Sequence, residues 1–203
     1  MKAKKIAIIG GGCSGLFAAS LLKDTGAEIF LFEKNNKLGK KILASGNGKC
    51  NFTNIGNYTD KYNNQFANVI IDKFDVQKTI ETFENMGLIY KCDDQGRCYP
   101  VSECSVSVLD CLKGNLKGVN ICLESVVKLI YKEEGKYKVI FDNKEELFDY
   151  IVCCSGSLAS NLGSSKAYEY LSALKLDVEQ LKASLVPVKV SEKITFLKGC
   201  RVK

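Results

Sequence analysis

Gly10-x-Gly12-x-x-Gly15, followed eighteen residues later (33 − 15) by Glu33, is a spacing able to hold a dinucleotide. Each glycine has its own task. Gly10 permits a tight turn, Gly12 lets backbone approach a pyrophosphate, and Gly15 lets a helix lie close on a strand. Cys13 and Ser14 stand between the second and third glycines, where a helix would open with unpaired N–H groups and the positive end of its dipole toward the phosphates. Glu33, with Lys34 beside it, would accept hydrogen bonds from an adenosine ribose. NAD and FAD share this pattern, which does not choose between them.

A second stretch, "KKILASGNGKCNFTN" over residues 40–54, is polar and follows shortly after Glu33. Gly46 and Gly48 let the chain turn where a Cβ would clash, and Asn47 and Asn51 can satisfy loose backbone groups. Its amides and Lys41 lie where they could reach a pyrophosphate or a flavin ring.

Other chemistries are excluded or demoted. The 203 residues contain no histidine, which removes every Ser-His or Cys-His nucleophile. The ten cysteines include no C-x-x-C pair and lack metal-ligand spacing, so no metal is expected. They read as free thiols used as small hydrophobes in a reducing cytoplasm rather than as a disulfide framework. Cys153 and Cys154 are adjacent, a geometry that resists bridging, and Cys50 sits inside the polar stretch. Structural or cofactor-lining use is the preferred reading for all three. The net charge of +6 comes from scattered lysines without a basic arm or an aromatic-interleaved basic stretch, which argues against nucleic acid as partner. No apolar window is long enough to span a bilayer, and no membrane partner is expected.

Elements must hold these residues in place. "KKIAII" reads as a buried strand over about residues 4–9, and Leu16, Ala19 and Leu22 recur on a helical period closed by Gly26. "AEIFLFEKN" reads as a second strand ending near Glu33. This β-α-β opening requires parallel strands. Residues 35–60 read as one long polar loop. "DVQKTIETFENMG" reads as an amphipathic helix closed by Gly87, "LIYKCDDQGRCYP" as a hairpin turning at Asp94–Gly96, and "SECSVSVLDCLKGNL" as a helix capped by Ser102 with Glu103 in its first turn. Three strands, "SVVKLIYK", "KYKVIFD" and "LFDYIVCC", form a small sheet over about residues 123–150. Residues 166–176 read as helix, and strand patterning resumes from about residue 187. The fold class is α/β: a Rossmann-like FAD/NAD(P)-binding domain with a parallel sheet and a small three-stranded β-meander.

Taken together, "IAIIGGGCSGLFAA" and "LFEKNNKLGKKILASGNGKCNFTN" resemble the HI0933-like (BaiN/YhiN) family of bacterial flavoproteins. Lys37–Asn54 match that family's K-L-G-x-K-x-L-x-[ST]-G-N-G-[RK]-C-N-x-[ST]-N stretch almost position by position. "DQGRCYPVS" resembles its G-R-x-[FY]-P-x-S hairpin, and "YIVCCSGS" its strand ending in an A-T-G-G-like turn. Here that turn runs Cys154-Ser155-Gly156-Ser157 and lacks the second glycine.

The resemblance implies an FAD-binding flavoprotein, an NAD(P)/FAD-dependent oxidoreductase of unknown small-molecule substrate, with NAD(P)H as a candidate reductant. It places Lys41, Ser45, Gly46, Asn47, Gly48, Cys50 and Asn51 near the cofactor, with Ser155 and Gly156 in the closing turn. It brings the backbone of Val127 to the adenine, and makes Tyr99 and Lys41 the side chains to inspect near the flavin. It extends over the N-terminal half of family members only. Residues 1–186 would then be a Rossmann-like domain without its C-terminal return segment, and residues 187–203 the start of an inserted β-rich domain. The alternative is a truncated, non-catalytic dinucleotide-binding module, or one half of a split flavoenzyme that pairs with a complementary C-terminal half or with itself.

Overall fold

A computed structural model describes residues 2–56, 62, 65–158, 165–179 and 191. Strand β1 (Lys5–Ile9) leads through helix α1 (Cys13–Leu22) to β2 (Glu28–Phe32). The two strands pair in parallel, with Ile6 opposite Ile29 and Ile9 opposite Phe32. β-Branched and aromatic residues make both strands, and their alternation feeds two cores. Ile6, Ile8, Ile29 and Leu31 face the helices, whereas Ala7, Ile9 and Phe32 face the opposite layer.

Helix α1 ends at Leu22, and the turn that follows it holds Gly26 at φ +76°. Gly26 therefore closes the turn into β2 rather than the helix itself.

The stretch expected as one long loop is more ordered than its polarity suggests. It holds a short helix α2 (Lys40–Leu43), a tight 3-10 turn over Ser45–Gly48, and strand β3 (Thr53–Asn54). Helix α3 (Gln65–Lys73), which sequence reading did not anticipate, precedes α4 (Val76–Asn85). Asp75 caps α4 by accepting from the Lys78 amide at 2.8 Å, and Gly87 ends it at φ +92°.

The hairpin forms as expected from β4 (Tyr90–Cys92) and β5 (Arg97–Pro100), and β3 adds to it as a third antiparallel strand in the order β3-β5-β4. Helix α5 (Ser105–Gly114) is capped at Cys104, not Ser102. Glu103 lies outside the helix at φ +52°.

Strand β6 (Asn120–Cys122), unforeseen because it is so short, pairs in parallel with β2. The expected three-stranded meander is β7 (Leu129–Glu133), β8 (Lys136–Ile140) and β9 (Glu145–Phe148). The segment "LFDYIVCC" is two strands, not one. It breaks at Asp149, whose amide donates to the Lys5 carbonyl while its carboxylate accepts from the Lys5 amide at 2.8 Å. Beyond that break β10 (Tyr150–Cys153) joins the parallel sheet, which runs β10-β1-β2-β6.

Helix α6 (Lys166–Ala173) packs Tyr170 into the meander-side core. The strand patterning expected from residue 187 lies outside the described residues. Among the described residues no helix is long and apolar enough to cross a membrane.

Candidate functional site

Strand β1 has β2, the next strand of the chain, on one side and the much later β10 on the other, so the order of the sheet reverses at β1. In open α/β sheets such a switch point forms the ligand crevice. The glycine turn sits there, and its glycines differ in what constrains them. A Cβ on Gly10, which has φ +111°, would lie 2.3 Å from the Cys154 carbonyl oxygen. One on Gly15 would lie 1.9 Å from the Gly10 carbonyl oxygen. A Cβ on Gly12 would meet nothing within 4 Å. Packing within the chain therefore dictates the first and last glycines, and leaves open space in front of the middle one.

Gly12 is the N-cap of α1, makes no side-chain cap bond, and the first turn carries no acidic residue. Cys13 and Ser14 begin the helix. The first internal bond runs from the Leu16 amide to the Gly12 carbonyl at 3.0 Å. The earlier N–H groups and the positive dipole end are thus uncompensated within the helix.

Glu33, at the end of β2, is buried. Its Oε2 accepts from the Gly11 amide at 2.8 Å, and its Oε1 from the amide and side chain of Asn35. Lys34 is exposed. The Ser125 amide donates to the Glu33 carbonyl at 2.9 Å, which draws the chain after β6 alongside and brings Val127 to this edge. Val127 is buried, and its carbonyl accepts from the Tyr170 hydroxyl at 2.6 Å. Burial, then Glu169 and Cys153, pushes the Tyr170 hydroxyl up to about 12. Sequence reading did not single out Tyr170. An aromatic in a short helix gives no signal of a partner 43 residues away.

The polar stretch is tied to the glycine turn. The Gly39 amide donates to the Gly11 carbonyl at 2.8 Å, and Gly39 has φ +72°. Gly46, Asn47, Gly48 and Cys50 are all left-handed, at φ +53°, +54°, +83° and +57°. That explains the composition, since glycine and asparagine adopt this region most cheaply. Ser45 turns its hydroxyl onto the Ile42 carbonyl, and Asn51 is exposed.

Lys41 reaches the closing turn. A Cβ on Gly156, at φ +82°, would lie 2.8 Å from Lys41 Nζ. Beside Gly156, Ser155 Oγ is buried without a hydrogen-bond partner among the described residues. An orphaned buried hydroxyl next to Gly10 is what a polar ligand would satisfy.

Cys50, Cys153 and Cys154 are free. Burial raises all three thiols, Cys154 to about 11 with help from Cys153 and Cys13. They are protonated near neutrality, and all three pack with the apolar cores, Cys50 and Cys154 on the helix side and Cys153 on the meander side.

The free-thiol expectation fails at one place. Cys92 and Cys98, cross-strand neighbours in β4 and β5, form a disulfide. Their register is set by the turn at Asp93–Gly96, so two cysteines flanking a D-x-x-G turn were the available signal.

A cavity of about 550 Å³ touches this hairpin and the loop but none of the glycine-turn residues. Gly46, Asn47, Cys92 and Tyr99 line it together with charged side chains. There Glu103 pairs with both Lys49 and Lys91, and the two cations hold its carboxyl down at about 2. Arg97 pairs with Asp93 at 2.6 Å. Among the described residues no cluster of three or more His, Cys, Asp or Glu could hold a metal ion.

Residues 4–196 match the HI0933-like protein Rossmann domain. A 3-dehydro-bile acid delta(4,6)-reductase from Clostridium scindens is 32% identical over 208 residues, covering 98% of this chain and 50% of the relative. A ribosomal RNA dihydrouridine synthase from Escherichia coli is 30% identical, covering 89% of this chain and 46% of the relative. The chain thus spans about half the length of the curated relatives it matches. The crystal structure of Thermovibrio ammonificans THI4 superposes with a TM-score of 0.52 at 17% identity, over 77% of this chain and 58% of that one, a likeness of fold.

Proposed function

The chain belongs to the HI0933-like family, and from that premise we propose that it is the FAD-binding half of a flavin-dependent oxidoreductase. The observation that carries the proposal is the contrast among the three glycines. Protein atoms explain Gly10 and Gly15, whereas the space before Gly12 is open and faces the N-terminus of α1. A pyrophosphate fits there, and Ser155 supplies a hydroxyl that otherwise has no partner among the described residues.

In this reading the amides of Cys13, Ser14 and Gly15 hold the phosphates. Glu33 fixes the turn through Gly11 and keeps further lone pairs for a ribose, with Lys34 beside it. The N–H of Val127 meets the adenine, since its carbonyl is engaged by Tyr170. Lys41, Ser45–Gly48, Cys50, Asn51 and Gly156 line the flavin end. FAD, when bound, supplies the electron transfer, and the protein supplies position and electrostatics. NAD(P)H is the proposed reductant.

One relative is named for a bile acid and the other for ribosomal RNA, yet this chain matches about half of each. A half common to such unlike substrates is suited to carry the cofactor. The substrate is left to residues outside the match. The proposed domain division, 1–186 for the dinucleotide domain and 187–203 for the start of a β-rich insert, follows the same logic. The free cysteines among the described residues fit a cytoplasmic setting.

The half-length match favours a second reading, a module that binds FAD without turnover or pairs with a complementary half. The test is a visible absorption spectrum after FAD is added and excess removed by gel filtration. A retained flavin band supports the cofactor site, and a colourless protein overturns it. NADPH-dependent bleaching of that band then separates the oxidoreductase from the non-catalytic module.

A further inference from the structure

We infer that the Cys92–Cys98 pair is a thiol–disulfide exchange site that accepts a small, carboxylate-bearing thiol through a cavity it shares with Gly46 and Asn47 of the loop. The pair is the one disulfide among the described residues, in a chain whose other described cysteines are all free. In the reducing, cytoplasmic setting of the proposed function, on which this step rests, the disulfides that do form are usually transient, catalytic or redox-sensing.

Its structural value is also small. The hairpin is already closed by the ladder Tyr90↔Pro100 and Lys91↔Tyr99 and by the Gly96 amide donating to the Asp93 carbonyl. The bond spans a sequence separation of only 6, and the stabilisation a cross-link gives grows with the loop it closes.

The two sulfurs differ in access. Cys98 is fully buried at 0% exposure, whereas Cys92 is partly exposed and lines the cavity. An incoming thiolate therefore meets the Cys92 sulfur. A bond forms from its sulfur to Cys92, the Cys92–Cys98 bond breaks, and Cys98 leaves as thiolate and takes up a proton. A second thiolate then attacks the sulfur of the bound thiol, releasing the small-molecule disulfide and Cys92. The net change is one protein disulfide reduced to two thiols and two small thiols oxidised to their disulfide.

The lining charges select the thiol. Lys49, Lys91 and Arg97 face Asp93 and Glu103, an excess of one positive charge. Exposed ion pairs such as those of Glu103 exchange readily with a competing carboxylate.

The experiment follows the purified chain, prepared without reductant, by mass-spectrometric mapping of its cysteines. Wild type should carry the Cys92–Cys98 bridge and lose it in millimolar glutathione while still folded by circular dichroism. In Cys98→Ser, oxidised glutathione should modify Cys92 about tenfold faster than exposed Cys104, the internal control. Should Cys98→Ser fail to fold, Glu103→Gln in the otherwise native chain serves instead. It should speed reduction by glutathione more than reduction by cysteamine, which has an amine where glutathione has carboxylates. Free thiols at both positions in the untreated protein, a bridge that resists glutathione until unfolding, or Cys92 no faster than Cys104 would each overturn the exchange site. Equal response to glutathione and cysteamine would overturn the assigned ligand class.

Discussion

The carboxylate of Glu33 holds the backbone of Gly11, at 2.8 Å from Oε2, and so ties the end of β2 to the turn that follows β1. The same carboxylate accepts from Asn35 through its other oxygen, and the group is buried. Glu33→Ala should leave the Gly11 and Asn35 amides without their acceptor and lower stability by about 2 kcal/mol or more, read from urea unfolding. Loss of FAD retention should accompany it.

Gly12→Ala should separate binding from folding. Nothing lies within 4 Å of the new methyl, so stability should fall by no more than about 1 kcal/mol, the scale of an N-cap change. FAD affinity should fall at least roughly tenfold, or about 1.4 kcal/mol. Gly10→Ala combines a backbone clash with a left-handed φ and should prevent folding. Thermal melts and flavin titration on the pair of variants check both outcomes.

Tyr170→Phe removes the hydrogen bond to Val127 and should cost about 1 kcal/mol. A pH signature goes with it. The folded hydroxyl titrates near 12, above its ordinary value of 10, so the folded state keeps a proton that the unfolded chain loses. Stability is full below pH 10 and declines as pH rises toward 12. The variant should lack this alkaline decline in melting temperature.

Glu103 gives the opposite limb. Lys49 and Lys91 hold its carboxyl at about 2, below its ordinary 4.5, so the unfolded state binds the proton first as pH falls. Its contribution is present above pH 4.5 and is lost between there and about pH 2. The melting-temperature gap between wild type and Glu103→Gln should shrink over that window. Because the groups are exposed, added salt should narrow the gap as well.

The β-α-β opening, the hairpin and the meander were legible because each rests on a local pattern: glycines after an apolar run, a D-x-x-G turn, or alternating apolar residues. Val76–Asn85 was equally plain from its period and its Gly87 stop. What local pattern does not carry was missed. Asn120–Cys122 is a strand only because β2 is beside it. Asp149 divides "LFDYIVCC" because Lys5, at the far end of the chain, offers its backbone. Cys104 rather than Ser102 is the N-cap of α5, and the pairing of Glu103 with Lys49 and Lys91 is a contact that local pattern does not carry. In the site, the glycines and the left-handed loop could be read from residue type. The Glu33–Gly11 tie and the Tyr170–Val127 bond are tertiary facts.

Strand β10 lies directly beside β1, and Asp149 meets Lys5 across a separation of 144 residues. During synthesis, therefore, the first strand and its glycine turn leave the ribosome long before the wall that packs on Gly10. Cys154, Ser155 and Gly156 arrive at least 144 residues after Gly10 (154 − 10), and only then can the crevice close. Such distant pairings are slow to form, because chain entropy must be spent before the contact rewards it. Nascent chains stalled before residue 150 should hold α1 without its neighbour and retain no flavin, and the shift to retention should come abruptly once β10 has emerged.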